Sequence, residues 1–100
     1  MPGYGAYGLA KGALWTLTLY MAKEWGSRGI RANAIKPGLI ATGDSASRLE
    51  QAVRNNGMLN RTSLGRVGHT HECLGAAIYL ASDESSFTTG QCISIDGGRF

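Results

Sequence analysis

Tyr7 and Lys11 have the residue types and the spacing to do proton chemistry, because four positions separate them in a stretch, Tyr7-Gly8-Leu9-Ala10-Lys11, that reads as helix. Residues four apart on a helix lie one above the other on the same face. An ammonium then lies near a phenol, and a nearby positive charge favours the phenolate form. A phenol ordinarily titrates near ~10, too high for ready proton exchange at neutral pH. A lysine partner therefore makes the tyrosine a candidate general acid/base. The residues between the two are small or apolar and would let a flat ligand come close. The same spacing also arises where a surface tyrosine packs on a lysine stem, so the reading depends on the elements that carry the pair.

Those elements run helix, strand, helix, strand. Met1-Pro2-Gly3-Tyr4-Gly5 is a turn-like entry, and residues 6–26 predict a helix. Ala10, Ala13, Leu14, Leu17 and Met21 fall at helical spacing and form its expected core face. Trp15, Leu19, Tyr20 and Trp25 extend the apolar surface, so this helix needs cover on most sides. Gly26 and Gly29 supply the stop. Residues 30–36 predict a strand that ends at Pro37-Gly38, since proline lacks a donor and glycine tolerates unusual backbone angles. After a loop, residues 45–56 show a weaker helical pattern with Ala46, Leu49, Ala52 and Val53 on one side, closed by Asn55-Asn56-Gly57. Residues 58–68 read as irregular. Thr70 is the expected N-cap of a helix over 71–82 with Leu74, Ala77, Ile78 and Ala81 as its apolar stripe. Residues 91–96 predict the second strand, closed by Gly97-Gly98. A crossover this long favours parallel pairing.

The totals narrow the function classes. A chain of 100 residues is one domain at most, and 43% hydrophobic residues without a low-complexity tract make it globular. The net charge of +3 is mild and its basic residues are scattered from Lys11 to Arg99, which argues against a nucleic-acid partner. Cys73 and Cys92 have neither metal nor redox spacing, so a reducing, cytoplasmic setting is expected. The apolar run from Ala13 to Ala22 is too short to span a bilayer and enters Lys23-Glu24 directly. It reads as core helix, and no membrane or targeting segment is expected.

At this point the residues carry a family resemblance that runs over nearly the whole chain. Tyr7-x-x-x-Lys11 is followed by Glu24-x-x-x-Arg28-Gly29-Ile30-Arg31-x-Asn33, Pro37-Gly38-x-Ile40-x-Thr42, Leu64-Gly65-Arg66, Leu80-Ala81-Ser82-Asp83, Thr89-Gly90-Gln91 and Ile95-Asp96-Gly97-Gly98. In that order and spacing they resemble the C-terminal part of the short-chain dehydrogenase/reductases. The resemblance implies an α/β fold, the C-terminal part of a doubly wound, Rossmann-type parallel sheet. It implies NAD or NADP as cofactor and a carbonyl or alcohol as substrate. Tyr7 would be the acid/base, and Lys11 would hold the nicotinamide ribose hydroxyls and favour the phenolate. Pro37 and Gly38 would shape the loop beside the nicotinamide. Ile40 would offer backbone contacts and Thr42 a hydroxyl to the same end of the cofactor. Residues 44–63 match the family's variable substrate loop, and Asn33 a recurrent position with a structural role at least as apt. The helix over 6–26 matches one that packs against a symmetry mate, which implies a homo-oligomer.

The family's glycine-rich phosphate turn follows its first strand, and its catalytic serine and Asn-Ala-Gly stretch precede the tyrosine. All would fall before Met1. The expectation is a partial domain whose N-terminal half is absent and whose activity alone is doubtful. The alternative is a non-catalytic dimerisation or interaction module derived from that family. His69-Thr70-His71-Glu72-Cys73 reads as a helix start rather than a metal site, because its side chains alternate across a loop–helix junction. Ser63 and Ser94 lack a base at triad spacing, and Asp96 reads as a strand-end residue.

Overall fold

The longest element, α1 (Gly5–Trp25), starts one residue ahead of the expected helix and ends one residue before its expected end. A 3-10 turn over Gly26–Arg28 follows, and Gly29 takes φ 78°, where its N–H bonds back to the Gly26 carbonyl. The positive angle is one that glycine adopts without strain. The structure is a computed structural model and describes residues 4–43 and 46–99. The expected entry turn at Met1–Gly3, the loop residue Asp44 and the helix start at Ser45 lie outside the described residues.

Four short strands and two further helices follow: β1 (Ala34–Pro37), β2 (Ile40–Ala41), α2 (Ala46–Asn55), β3 (Gly68–His69), α3 (Leu74–Ala81) and β4 (Cys92–Ile95). β1 pairs with β4 in parallel, from Ala34 opposite Cys92 to Pro37 opposite Ile95. The expected parallel pairing is present, with two differences. The first strand begins at Ala34 rather than Ile30, because the residues before it turn their polar groups to the 82–91 segment. Arg31 bonds Ser85, Ser82 and Thr88. Asn33 donates to the Thr88 carbonyl and accepts from the Gln91 N–H. The ladder also continues through Pro37, and the Gly38 N–H donates to the Ile95 carbonyl at 2.9 Å. A proline fits here because the hydrogen bond past Ala34–Lys36 comes from the next residue.

A second parallel pair, β2 with β3, joins Ile40 to Gly68 and Ala41 to His69. At two residues each, these strands are too short to leave a period in the sequence. Around them sits the described core, formed by Ala41, Val53, Leu59 and Val67 with Leu39, Ala46, Leu49 and Met58 packed against it. The stretch 58–68, expected to be irregular, thus supplies two of the four buried members of that core.

The apolar faces of α1 and α3 differ from expectation. Thr18 and Ala22 are the buried residues of α1, with Trp15 and Met21 half-buried, whereas Leu14 and Leu17 are more than half exposed. Ala22 faces Gly90, where an added Cβ would stand 3.6 Å from its own. Thr18 tolerates burial because its hydroxyl donates to the Leu14 carbonyl at 2.9 Å. On α3 the expected stripe of Leu74, Ala77, Ile78 and Ala81 is exposed, and Ala76 and Leu80 are the half-buried residues. Thr70 lies inside a 3-10 turn, and His69 is the cap: its ring and the Glu72 carboxylate bond each other's backbone N–H groups.

Candidate active site

The helix holds Tyr7 and Lys11 together. Lys11 Nζ stands 5.4 Å from the Tyr7 ring centroid, a cation–π contact. Tyr4 packs edge-on against the same ring, with centroids 6.0 Å apart. Tyr7 is 59% exposed. Among the described residues Lys11 makes no ion pair. An open phenol beside an ammonium can pass a proton to or from a bound molecule.

Pro37, Gly38, Ile40 and Thr42 lie elsewhere, at and past the carboxyl end of β1. In open α/β sheets this is the edge where ligands bind. Because β1 and β4 are parallel, Asp96-Gly97-Gly98 leaves β4 at the same edge. Gly38 takes no positive φ, contrary to the reason expected for it. It is needed for space, since an added Cβ would stand 2.8 Å from Asp96 Cβ and 2.9 Å from its Cα. Ile40 packs its Cδ1 over Gly68, 2.8 Å from where a Cβ would stand there. Thr42 follows β2 directly and is exposed.

A cavity of about 250 Å³ opens beside this edge, lined by Ile40, Thr62, Leu64, Arg66, Glu72 and Asp96 among others. A second, of about 240 Å³, has Pro37, Gly38 and Asp96 in its wall. Neither Tyr7 nor Lys11 lines either cavity. The predicted site residues therefore form two groups, the tyrosine–lysine pair on α1 and a wall at the strand ends.

Asp96, expected as a strand-end residue, and Arg66, present in the sequence only as part of a motif, both line this edge. Arg66 meets Glu72 through two hydrogen bonds of 2.8 and 2.9 Å. The guanidinium first, and then the His69 N–H, hold the Glu72 carboxyl at about 2. The same pair raises the Arg66 guanidinium above its ordinary value. The His69 and His71 rings stack at 5.8 Å. Among the described residues, no group of three or more His, Cys, Asp or Glu side chains is placed to hold a metal ion, and no helix is long and apolar enough to cross a membrane.

The parallel strands and the helices around them define part of a Rossmann-type α/β domain. A family model described as enoyl-(acyl carrier protein) reductase matches residues 1–99, and the chain belongs to the short-chain dehydrogenase/reductase family. A tropinone reductase homologue of Arabidopsis thaliana is 46% identical over 92 residues, which cover 92% of this chain and 34% of the relative. The 2-dehydro-3-deoxy-D-gluconate 5-dehydrogenase of Pseudoalteromonas atlantica is 37% identical over 98% of this chain and 37% of its own length. Among solved structures, a gluconate 5-dehydrogenase from Burkholderia cenocepacia, in complex with NADP and tartrate, superposes with a TM-score of 0.82 at 38% identity, covering 94% of this chain and 37% of that one. A 3-oxoacyl-[acyl-carrier protein] reductase from Brucella melitensis with bound NAD gives 0.77 at 35% identity, over 93% of this chain and 32% of that one. The chain thus spans about a third of the length of the relatives it matches.

Proposed function

We propose that this chain carries the proton-transfer pair and one wall of the cofactor seat of an NAD- or NADP-dependent oxidoreductase acting on a carbonyl or alcohol. The observation that carries this reading is the open Tyr7 ring with Lys11 Nζ 5.4 Å from its centroid. Tyr7 gives its hydroxyl proton to the oxygen of a carbonyl under reduction, or takes the proton of an alcohol under oxidation. Lys11 offers its ammonium to the ribose hydroxyls of the cofactor. The donor set at the strand ends suits the same ligand: the Pro37–Gly38 turn shapes the loop, Ile40 offers backbone groups, and Thr42 offers a hydroxyl. A bound nicotinamide would supply or accept the hydride. Support comes from the family membership and from relatives whose structures hold NADP or NAD.

Because neither Tyr7 nor Lys11 lines a described cavity, the 100 residues alone are expected not to turn over a carbonyl substrate. Turnover by the purified chain with NADH or NADPH would refute that part. The acid/base role is tested in a chimera in which residues 4–99 replace the matching third of the Burkholderia gluconate 5-dehydrogenase. A folded, active chimera should lose about 10²–10⁴-fold in kcat on Y7F, the usual contribution of a positioned acid/base. An unreduced kcat refutes the role.

A second reading, a non-catalytic dimerisation module, is favoured by the exposed apolar face of α1. Leu9 is 78% exposed, Tyr20 64%, Leu14 55% and Leu17 52%. In this reading α1 pairs with a second copy of the chain. Light scattering across a concentration series separates the readings: a monomer at every concentration counts against the module.

A further inference from the structure

Asp96 touches both sides of the site edge with little slack. Its Cβ and Cα fill the space where Gly38 would carry a side chain, at 2.8 and 2.9 Å, and the Gly38 N–H holds the Ile95 carbonyl next to it at 2.9 Å. On its other side the Asp96 Oδ1 accepts from the backbone N–H groups of Gly98, at 3.0 Å, and Arg99, at 3.4 Å. That carboxylate shapes a turn in which Gly97 and Gly98 take φ of 68° and 79°. The turn presents its carbonyls to the end of the substrate loop. Leu64 N–H donates to Gly97 at 3.0 Å and Ser63 N–H to Gly98 at 2.9 Å. The Ser63 hydroxyl donates to the same Gly98 carbonyl at 2.8 Å. Neither glycine has room for a Cβ, which would stand 2.9 Å from Thr62 Cγ2 at Gly97 and 2.8 Å from Ser63 Oγ at Gly98.

We propose that Asp96, through Gly97 and Gly98, is a positioning residue that links the Pro37–Gly38 turn to residues 62–64, so that the cofactor-side turn and the end of the substrate loop are set together. Asp96 lines both cavities, the one with Thr62 and Leu64 in its wall and the one with Pro37 and Gly38. Packed elements without slack transmit displacement rather than absorb it. Linkage makes the effect reciprocal: whatever fixes the turn fixes the loop end, and the reverse. Which ligands occupy the two sides rests on the proposed function, but the link itself does not.

The test is amide hydrogen exchange by NMR on the 100-residue chain, without substrate or cofactor. G38A forces Asp96 to move, because the atoms in the way are main chain and Cβ. It is expected to speed exchange at the Ser63 and Leu64 amides about tenfold, the worth of one hydrogen bond, while the α3 amides keep their rates. S63A, a milder change, is expected to speed exchange at Gly38, and S63T to restore it. Unchanged Ser63 and Leu64 rates in G38A overturn the link, and so does an equal acceleration throughout, α3 included, if S63A also leaves Gly38 unchanged. If G38A unfolds the chain, the S63A measurement decides alone. In the chimera, S63A should raise KM for the substrate with kcat held. An unchanged KM overturns the positioning role, whereas failure of Y7F to slow the chimera refutes the acid/base reading and leaves the exchange result intact.

Discussion

Arg31 ties the entry to β1 onto the loop before β4, and removing it should loosen the frame that carries the site edge. Its guanidinium donates to Ser85 Oγ at 2.7 Å, to the Ser82 carbonyl at 3.2 Å and to the Thr88 carbonyl at 3.4 Å. The last is at the limit of a useful bond. In R31A the acceptors are not orphaned. Thr88 keeps the Asn33 amide at 3.0 Å, and the Ser85 hydroxyl keeps the Leu80 and Ser82 carbonyls at 3.1 and 3.0 Å. No desolvated carbonyl is left alone, so the cost is that of two charge-assisted bonds less the rewetting of their partners. That comes to about 2–3 kcal/mol, or about 10–20 °C in Tm for a domain of this size. The assay is urea unfolding followed by far-ultraviolet circular dichroism and the emission of Trp15 and Trp25. R31K keeps a donor but loses the fork, and should recover about half of the loss. A double-mutant cycle with S85A should show a coupling of about 1 kcal/mol. An R31A midpoint within about 0.5 kcal/mol of the parent, the range of an ordinary surface change, would refute the reasoning.

Two further changes test the core and the ion pair. Leu59 is 7% exposed and meets Ala41, Val53 and Val67, so L59A should cost about 2–5 kcal/mol by urea unfolding. L64A, at a residue 65% exposed, should cost about 0.5 kcal/mol or less. Glu72 has its carboxyl held at about 2, below its ordinary 4.5, chiefly by Arg66. A depressed carboxyl contributes stability that is present above the unfolded value and lost as the folded value is reached. The urea midpoint should therefore fall as pH drops from about 4.5 to about 2, and E72Q should flatten that part of the profile.

The sequence makes the order of the three helices and the two main strands, the parallel pairing of those strands and the stop at Gly29 legible, because each has a local chemical signal. The buried faces of α1 and α3 are not legible in the same way. α1 is apolar nearly all round, so spacing does not choose between the stripe at 10, 13, 14, 17 and 21 and the observed one at 15, 18 and 22. Thr18, at its centre, hides its polarity in a bond to its own helix. Leu59 and Val67 are single apolar residues in a polar stretch, and tertiary packing alone shows them to be core. At Gly38 the sequence suggests backbone freedom, whereas Asp96 gives the physical reason, a lack of room. For the site, the pair on α1 and the wall at the strand ends were each readable as motifs. Their separation was not, since motifs carry order along the chain and not position in space.

That separation has a structural cause. The spacing of Tyr7 and Lys11 is fixed by their own helix, so the pair is preorganised locally. Its placement relative to the wall at the strand ends is fixed by whatever holds α1. The buried anchors of α1 are Thr18 and Ala22. From Thr18 to Tyr7 is about 16 Å along the axis at the usual helical rise. Over that length a small tilt of the helix displaces the phenol by more than the tolerance of a reacting geometry. The exposed Leu9, Leu14 and Leu17 lie on this same unanchored part, between the pair and the anchors or beside them. Cover on those residues would remove apolar surface from water and fix the tilt in one step. The proton-transfer role proposed for Tyr7 therefore depends on that face being packed.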